Sequence, residues 1–431
     1  MDDQKIIDAL NNAIFKVSDE MIEFLKDMIK IPTENPPGKN YKKFSNFFSF
    51  YLKKLGYNTK VIEVPRNRLK ELVQFGKGER PIIFGTYGNG PVHIAFNGHY
   101  DVVPAGDDWT YDPYEPVIKD GFLYGRGASD MKSGLAMQVY AIEAIKICCP
   151  DILNNFTIFQ TAVPDEETVG NKNAGMYYLV EKKYLSKENT DLVIITEPQS
   201  GLDKICFGHR GALLLTVKVK GSKSHGSMPY LGKNAIDKTC EAINELNLFT
   251  LNKSKNLISK YPIYPENSKR PTISINTLKC GDWANTVADR CEFTIFRRLI
   301  PEEKLNDVRN EINEILTNKI ERNGLGLEIT ENYATESVIE NTENIFYKTY
   351  SEAIQKIIGK NPIYVLLSAT FDIRFTHKEG IPTLNYGPGI LEEAHMTNEK
   401  LNLDDFKKAT LVTAYSLYKL SKYYDEGKFS K

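Results

Sequence analysis

Tryptophan, cysteine and histidine are all scarce in this 431-residue chain, at two, six and six residues. The cysteines, Cys148, Cys149, Cys206, Cys240, Cys280 and Cys291, form no CxxC pair, and several lie in apolar runs such as "IKICC" and "DRCEFTIF". They read as buried, reduced thiols, which points to a reducing cytoplasm and away from a disulfide-stapled fold. No apolar stretch reaches the roughly 18–20 residues of a membrane span. A formal net charge of -1 with no long basic run disfavours nucleic acid and anionic membranes as partners. The start, "MDDQKIIDALNNAIF", is acidic and amphipathic, unlike a secretory signal. Internal repeats and low-complexity tracts are absent too.

What is present fits a globular protein: 41% apolar and 26% charged residues. The length exceeds what one ordinary core organises, so two domains are expected. Residues 4–30 read as an amphipathic helix ending at the loop "IPTENPPG", and "YKKFSNFFSFYLKKLG" as a second helix. The aromatics of "NFFSFY" have helical spacing and are expected in the core. Strands "YNTKVIEV", "PIIFGTYG", "VHIAFNGHYDVV", "NFTIFQTAV" and "DLVIITEP" then alternate with helices "SGLAMQVYAIEAIKIC" and one near 173–183. That alternation predicts an α/β domain with a mainly parallel sheet flanked by helices.

The pattern changes near Gly208. "GALLLTVKVKG" alternates apolar and polar residues, as a strand with one wet face does. "PTISINTLKCG", "RCEFTIFRRLI" and "LGLEITENY", with the helix "PEEKLNDVRNEINEILTNKI", complete an inserted α+β unit of about four strands. The chain then returns through a helix at 339–358, strands "NPIYVLL" and "IPTLNYG", and a helix at 402–425. The expected division is a discontinuous domain of residues 1–207 and 333–431 and an insertion of residues 208–332.

"FQTAVPDEETVG" ends an apolar strand in three acids, Asp165, Glu166 and Glu167. Bunching carboxylates beyond an apolar strand costs free energy and asks for a reason. "FNGHYDVVP" places His99 and Asp101 two apart, on one side of an extended chain. An aspartate there can accept the second ring N–H and leave the other nitrogen free for a metal. Asp130 in "GRGASDMKSG" precedes a helix, Glu197 in "IITEPQ" ends a strand, and His395 stands in "EEAHMTNE". Each has a plain alternative: a solvated strand end, a helix cap, a loop acid, a surface histidine. Together they supply imidazole and carboxylate donors for two cations, with one glutamate left to handle a proton.

The motifs "GHYDVVP", "GRGASDMKSG", "PDEETVG", "TEP" and "AHMTNE", in this order and spacing, resemble the dinuclear zinc acylase and peptidase family. That family includes acetylornithine deacetylases, succinyl-diaminopimelate desuccinylases, aminoacylases, dipeptidases and glutamate carboxypeptidases. The resemblance runs over about residues 20–425. It implies two Zn2+ ions, with Co2+ or Mn2+ as substitutes. His99 and Glu197 would hold one ion, Glu167 and His395 the other, and Asp130 would bridge them. Asp101 would orient His99, and Glu166 would be the general base. The insertion would be a lid and dimer contact, with His225 in "GSKSHGSMPYLGKNAI" reaching the partner subunit's site as an oxyanion donor. Its plain alternative is a histidine stabilising its own turn.

The resemblance implies hydrolysis of the amide of an N-acyl-L-amino acid by an activated water, with a dipeptidase or carboxypeptidase as the alternative. Arg374 in "SATFDIRF" would bind the substrate carboxylate, joined by Asn285 in "GDWANTVAD" and by Gly387 and Gly389 in "NYGPGI". A surface ion pair and a turn asparagine are the alternatives for the first two. Desuccinylases typically carry glycines where Ser368, Ala369 and Ile373 stand, which counts against a succinyl-diaminopimelate substrate. Phe296 stands where relatives often carry an acid two residues before the arginine matched by Arg298. His93, His209 and His377 read as structural, with His209 in a turn. Phosphoester hydrolysis, open to any paired-metal site, is disfavoured by the lack of a basic stripe. Retention of every ligand and of Glu166 argues against a binding protein that lost catalysis.

Overall fold

The computed structural model describes residues 3–73, 78–168 and 170–429. Its centre is a ten-stranded sheet in the order Asn58–Glu63, Pro81–Gly88, Phe156–Val163, Val92–His99, Leu192–Ile195, Thr383–Asn385, Lys204–His209, Ile363–Leu367, Ile263–Tyr264, with Val338–Ile339 pairing with Lys204–His209. The four strands from Phe156–Val163 to Thr383–Asn385 are mutually parallel. They are buried on both faces and mostly apolar, with Asn97, Gln160 and Thr161 among the buried polar exceptions. Ile263–Tyr264, inside the stretch read as insertion, joins this sheet through Ile363–Leu367.

Helix Asp3–Ile29 presents Ile6, Leu10, Ile14, Val17, Met21, Phe24 and Met28 inward at helical spacing. It packs against helices Lys132–Cys148 and Leu403–Asp425, in the core that covers one sheet face. Of the aromatics of "NFFSFY", Phe48 is fully buried there and Phe47 and Tyr51 are partly buried, while Phe50 is exposed. Each such buried ring contributes on the order of 2–3 kcal/mol. The helix expected at 339–358 begins only at Ile345, capped by Asn344, because Val338–Ile339 is spent on sheet pairing.

A second sheet is antiparallel, in the order Thr272–Cys280, Arg290–Leu299, Gly211–Lys220, Gly326–Thr335. Leu213, Leu215, Val217, Phe293 and Ile295 meet Leu246 and Ile312 from two helices in a separate core. Phe296 and Arg298 share a strand face, and the guanidinium lies 4.4 Å from the ring centroid. The aromatic thus gives Arg298 a cation–π contact where an acid would give an ion pair. The reading of all six cysteines as buried, reduced thiols is corrected: Cys280 and Cys291 occupy one cross-strand register and are joined as a disulfide, and Cys240 is exposed. A pairing set by strand register is invisible in the spacing of the two residues.

Candidate metal centre

Three of the parallel strands deliver their acids and histidine to one edge. His99 is level with Val163, and Asn97 with Ile195, so Glu197 and the turn after Val163 converge beside His99. This carboxyl edge is where open α/β sheets place ligands. His99 Nε2 lies 3.1 Å from Asp130 Oδ1 and 3.5 Å from Glu197 Oε2. His395 Nε2 lies 2.8 Å from Glu167 Oε2 and 3.6 Å from Asp130 Oδ2. The two oxygens of Asp130 therefore face different histidines. Asp130 does not cap the helix that follows; Met131 occupies that position.

Two sets of donor atoms lie close enough to share a cation: His99, Asp130 and Glu167, and His99, Glu166 and Glu197, each within 4.8 Å. Glu166, expected to stay off the metal, is within ligand range of His99 and Glu197. Among the described residues it is nonetheless the acid of the group with no histidine ion pair.

Burial, then the Glu197 charge, pushes the Glu166 carboxyl well above its ordinary range. Burial also raises Glu167, reinforced by Asp130, and pushes Glu197 up to about 7 against the pull of His99. On the basic side, burial opposes protonation of His99, but Glu197 and Asp130 outweigh it and hold it well above its usual value. The hydrogen bond that His395 donates to Glu167 lifts the imidazole to about 9. Three desolvated acids around two imidazoles form a donor set that divalent cations fit, because the cations would offset the crowded charge and displace the ring protons.

The expected link between Asp101 and His99 is corrected in detail. His99 Nδ1 donates to the backbone carbonyl of Asp101 at 2.9 Å, while the nearest carboxylate oxygen is 3.6 Å away. The carboxylate is occupied instead by the N–H groups of Glu166 and Glu167, at 3.3 and 3.2 Å. The Asp101 backbone carbonyl thus holds the His99 ring, and its carboxylate holds the turn carrying both glutamates.

Glu399 went unread, although it lies four residues past His395 in the same motif. Strand Lys400–Asn402 pairs with Phe122–Tyr124, which brings Glu399 against the Asp130 loop. Its carboxylate accepts from the N–H groups of Gly127, Ser129 and Asp130 and from Arg126. Arg126 Nη2 also donates to the His395 carbonyl at 3.4 Å.

Two of the remaining candidates adjoin the site, and three belong to the insertion or to its border with the central sheet. Gly387 and Gly389 sit against the Glu197 and Ser129 carbonyls, where a Cβ would approach to 2.4 and 2.3 Å. His225 and Asn285 meet in the insertion: Gly226 N–H donates to the Asn285 carbonyl at 2.7 Å, and His225 pairs with Thr286. Both side chains are exposed, and His225 Nδ1 contacts Ser227 Oγ at 2.7 Å. Arg374 lines a cavity of about 640 Å³ between the two units with Tyr177, Leu305, Tyr333 and Val338, and bonds the Tyr333 hydroxyl. Its Nε is buried without a partner. Of the histidines read as structural, His93 bonds the Asn189 carbonyl and His377 the Glu340 carboxylate. His209 ends a buried strand instead of lying in a turn.

Residues 95–419 match the family model for peptidase family M20/M25/M40. A probable succinyl-diaminopimelate desuccinylase of Staphylococcus aureus (strain MRSA252) is 28% identical over 412 residues, covering 90% of this chain and 94% of that one. The N-formyl-4-amino-5-aminomethyl-2-methylpyrimidine deformylase of Bacillus subtilis (strain 168) is 25% identical, with 95% and 96% covered. Among solved structures, the di-peptidase Dug1p from Saccharomyces cerevisiae aligns with a TM-score of 0.76 at 16% identity, over 96% of this chain and 98% of that one. A dinuclear metal-binding M20 peptidase of Bacillus subtilis aligns at 0.64 and 15%, over 94% and 99%. With the match covering most of its length, and imidazole and carboxylate donors gathered at one sheet edge, the chain belongs to peptidase family M20/M25/M40 and is a metal-dependent hydrolase of amide or peptide bonds.

Proposed function

We propose that this hydrolase releases a free amino acid from an N-acyl-L-amino acid. The observation that carries the reading is Asp130, whose two oxygens face His99 and His395 from between Glu197 and Glu167. In this reading His99 and Glu197 would hold one zinc ion, His395 and Glu167 would hold the other, and Asp130 would serve both; cobalt or manganese would substitute. When bound, the ions supply Lewis acidity and lower the pKa of water.

Glu166 takes the proton of the attacking water and returns it to the leaving nitrogen. Its freedom from either histidine supports this role over ligation. The Asp101 carbonyl fixes the His99 tautomer with Nε2 facing the acids, and the Glu399 clamp holds the Asp130 loop. Residues 208–332 act as a lid on the domain formed by residues 1–207 and 333–431, and also as the contact to a second copy. Tyr230, Leu231 and Trp283, 79%, 65% and 73% exposed near His225, support an apolar surface for that contact. His225 then reaches the oxyanion from the partner's lid, Asn285 and Arg374 bind substrate, and Gly387 and Gly389 admit the backbone close to the site.

The names of two relatives, a probable desuccinylase and a deformylase, support hydrolytic removal of an acyl group from an amide nitrogen. A hydrolysis screen over N-acetyl, N-formyl and N-succinyl amino acids and dipeptides, with zinc, cobalt or manganese, tests the reading. Turnover of at least one N-acyl series that exceeds every dipeptide is expected. Faster dipeptide cleavage would make the protein a peptidase, and no turnover on any substrate would leave the reading without support.

A further inference from the structure

Of the three acids after Val163, Asp165 has no part in the chemistry above, yet it is the most elaborately held. Its side chain is fully buried, and both oxygens receive Arg80 Nε, at 2.9 and 2.7 Å. Asn35 Nδ2 donates to Asp165 Oδ1 at 3.0 Å and to Asp101 Oδ2 at 2.9 Å. The Tyr41 hydroxyl lies 3.4 Å from Asp165 Oδ1. Asp165 adopts φ 63°, a left-handed conformation uncommon outside glycine, and it does so immediately before Glu166.

Arg80 is equally committed. Its guanidinium also donates to the carbonyls of Pro37, Gly78 and Glu79 and lies 5.0 Å from the Tyr41 ring centroid. Gly38, at φ 98°, leaves it room: a Cβ there would stand 2.7 Å from Nη1. The end of "IPTENPPG", at Pro37 and Gly38, is therefore closed against this one side chain. A buried charge pair is expensive to assemble and gains little stability over apolar packing, so its presence asks for a positional reason.

We infer that Arg80, through Asp165 and Asn35, is a positioning residue for the glutamate pair. The connection is continuous. Arg80 fixes Asp165 in its left-handed turn, and Asn35 ties Asp165 to Asp101. Asp101 in turn accepts the N–H groups of Glu166 and Glu167 and, through its carbonyl, the His99 ring. One buried guanidinium thus sets the relative placement of the proposed base, one ligand of each ion, and the turn between them. The inference rests on the proposed roles of Glu166 and Glu167 and adds a residue 85 positions before Asp165 in sequence.

The test uses the full chain carrying Asn35→Ala, Arg80→Met or Arg80→Lys. Each protein is stripped of metal, titrated with zinc chloride against a chromophoric chelator, and assayed on the best substrate of the screen. Asn35→Ala and Arg80→Met should lose about 10–100-fold in kcat or in affinity for one of two zinc equivalents, with KM unchanged. Arg80→Lys, which keeps the charge, should recover part of the loss. Asn35→Ala leaves the ion pair intact and decides the matter if Arg80→Met does not fold. Wild-type zinc affinity and turnover in Asn35→Ala, or a loss matched entirely by the unfolded fraction, overturns the inference. If the wild-type chain hydrolyses no amide, the proposed function fails separately, and the zinc titration still decides for Arg80.

Discussion

The sheet edge and the insertion solve the same placement problem in opposite ways. At the edge, His99 is 1% exposed and Glu197 9%, and of the site's donors His395 alone, on the loop before Lys400–Asn402, is largely open at 55%. On the insertion, His225 and Asn285 sit on exposed loops whose contacts are with each other's backbone and with Ser227. Chemistry that needs fixed charge in a dry place is wired into the buried strand ends. In the proposed function, His225 and Asn285 approach after substrate enters, and their surface position means that little has to be broken to move them.

The largest expected effect tests the buried half. Glu166→Gln should lower kcat by about 10²–10⁴-fold while both metal equivalents remain bound. Loss of metal instead would make Glu166 a ligand, a role its distance to His99 and Glu197 permits. The next effect tests the exposed half: His225→Ala should cost on the order of 10²–10³-fold in turnover with zinc content unchanged. Near-normal turnover would leave His225 as a turn histidine and dissolve the contrast.

Arg374 stands between the two regions, and Arg374→Lys sharpens where the boundary runs. Loss of a bidentate guanidinium contact to a substrate carboxylate should raise KM by about tenfold with kcat little changed. A change in thermal stability alone would make it a latch to Tyr333 across the cavity. The smallest effect concerns His377, raised above its ordinary value mainly by its hydrogen bond to Glu340. A raised folded-state value means the contribution is complete below the unfolded histidine range and is lost as pH climbs through the folded one. Melting temperature should therefore fall slightly from pH 6 upward, and His377→Gln should flatten that dependence. Equal slopes in both proteins would remove this ion pair from the account.

Much of the sheet edge was legible because its signals are local. Apolar strands ending in His99, Glu167 and Glu197 show their chemistry within a few residues, and strand periodicity puts them at one edge. The four-stranded insertion was equally plain from the alternation in "GALLLTVKVKG". Glu399, Arg80 and the Cys280–Cys291 bond were not legible, since each acquires its meaning from a partner that pairing or packing brings alongside. The short ribbon that docks Glu399 involves strands of three residues, too brief for periodicity to mark.

By itself the sequence determined the donor inventory and the strands that end in it, because residue type and local periodicity are properties of neighbours along the chain. Only the tertiary structure decided how the acids divide their work. Asp101 turned out to spend its carboxylate on the glutamate turn and its carbonyl on His99, while Asp165 faces a buried arginine. Those choices are hydrogen bonds between segments far apart in sequence, and an acid's role follows from which donors the fold places within about 3 Å of it.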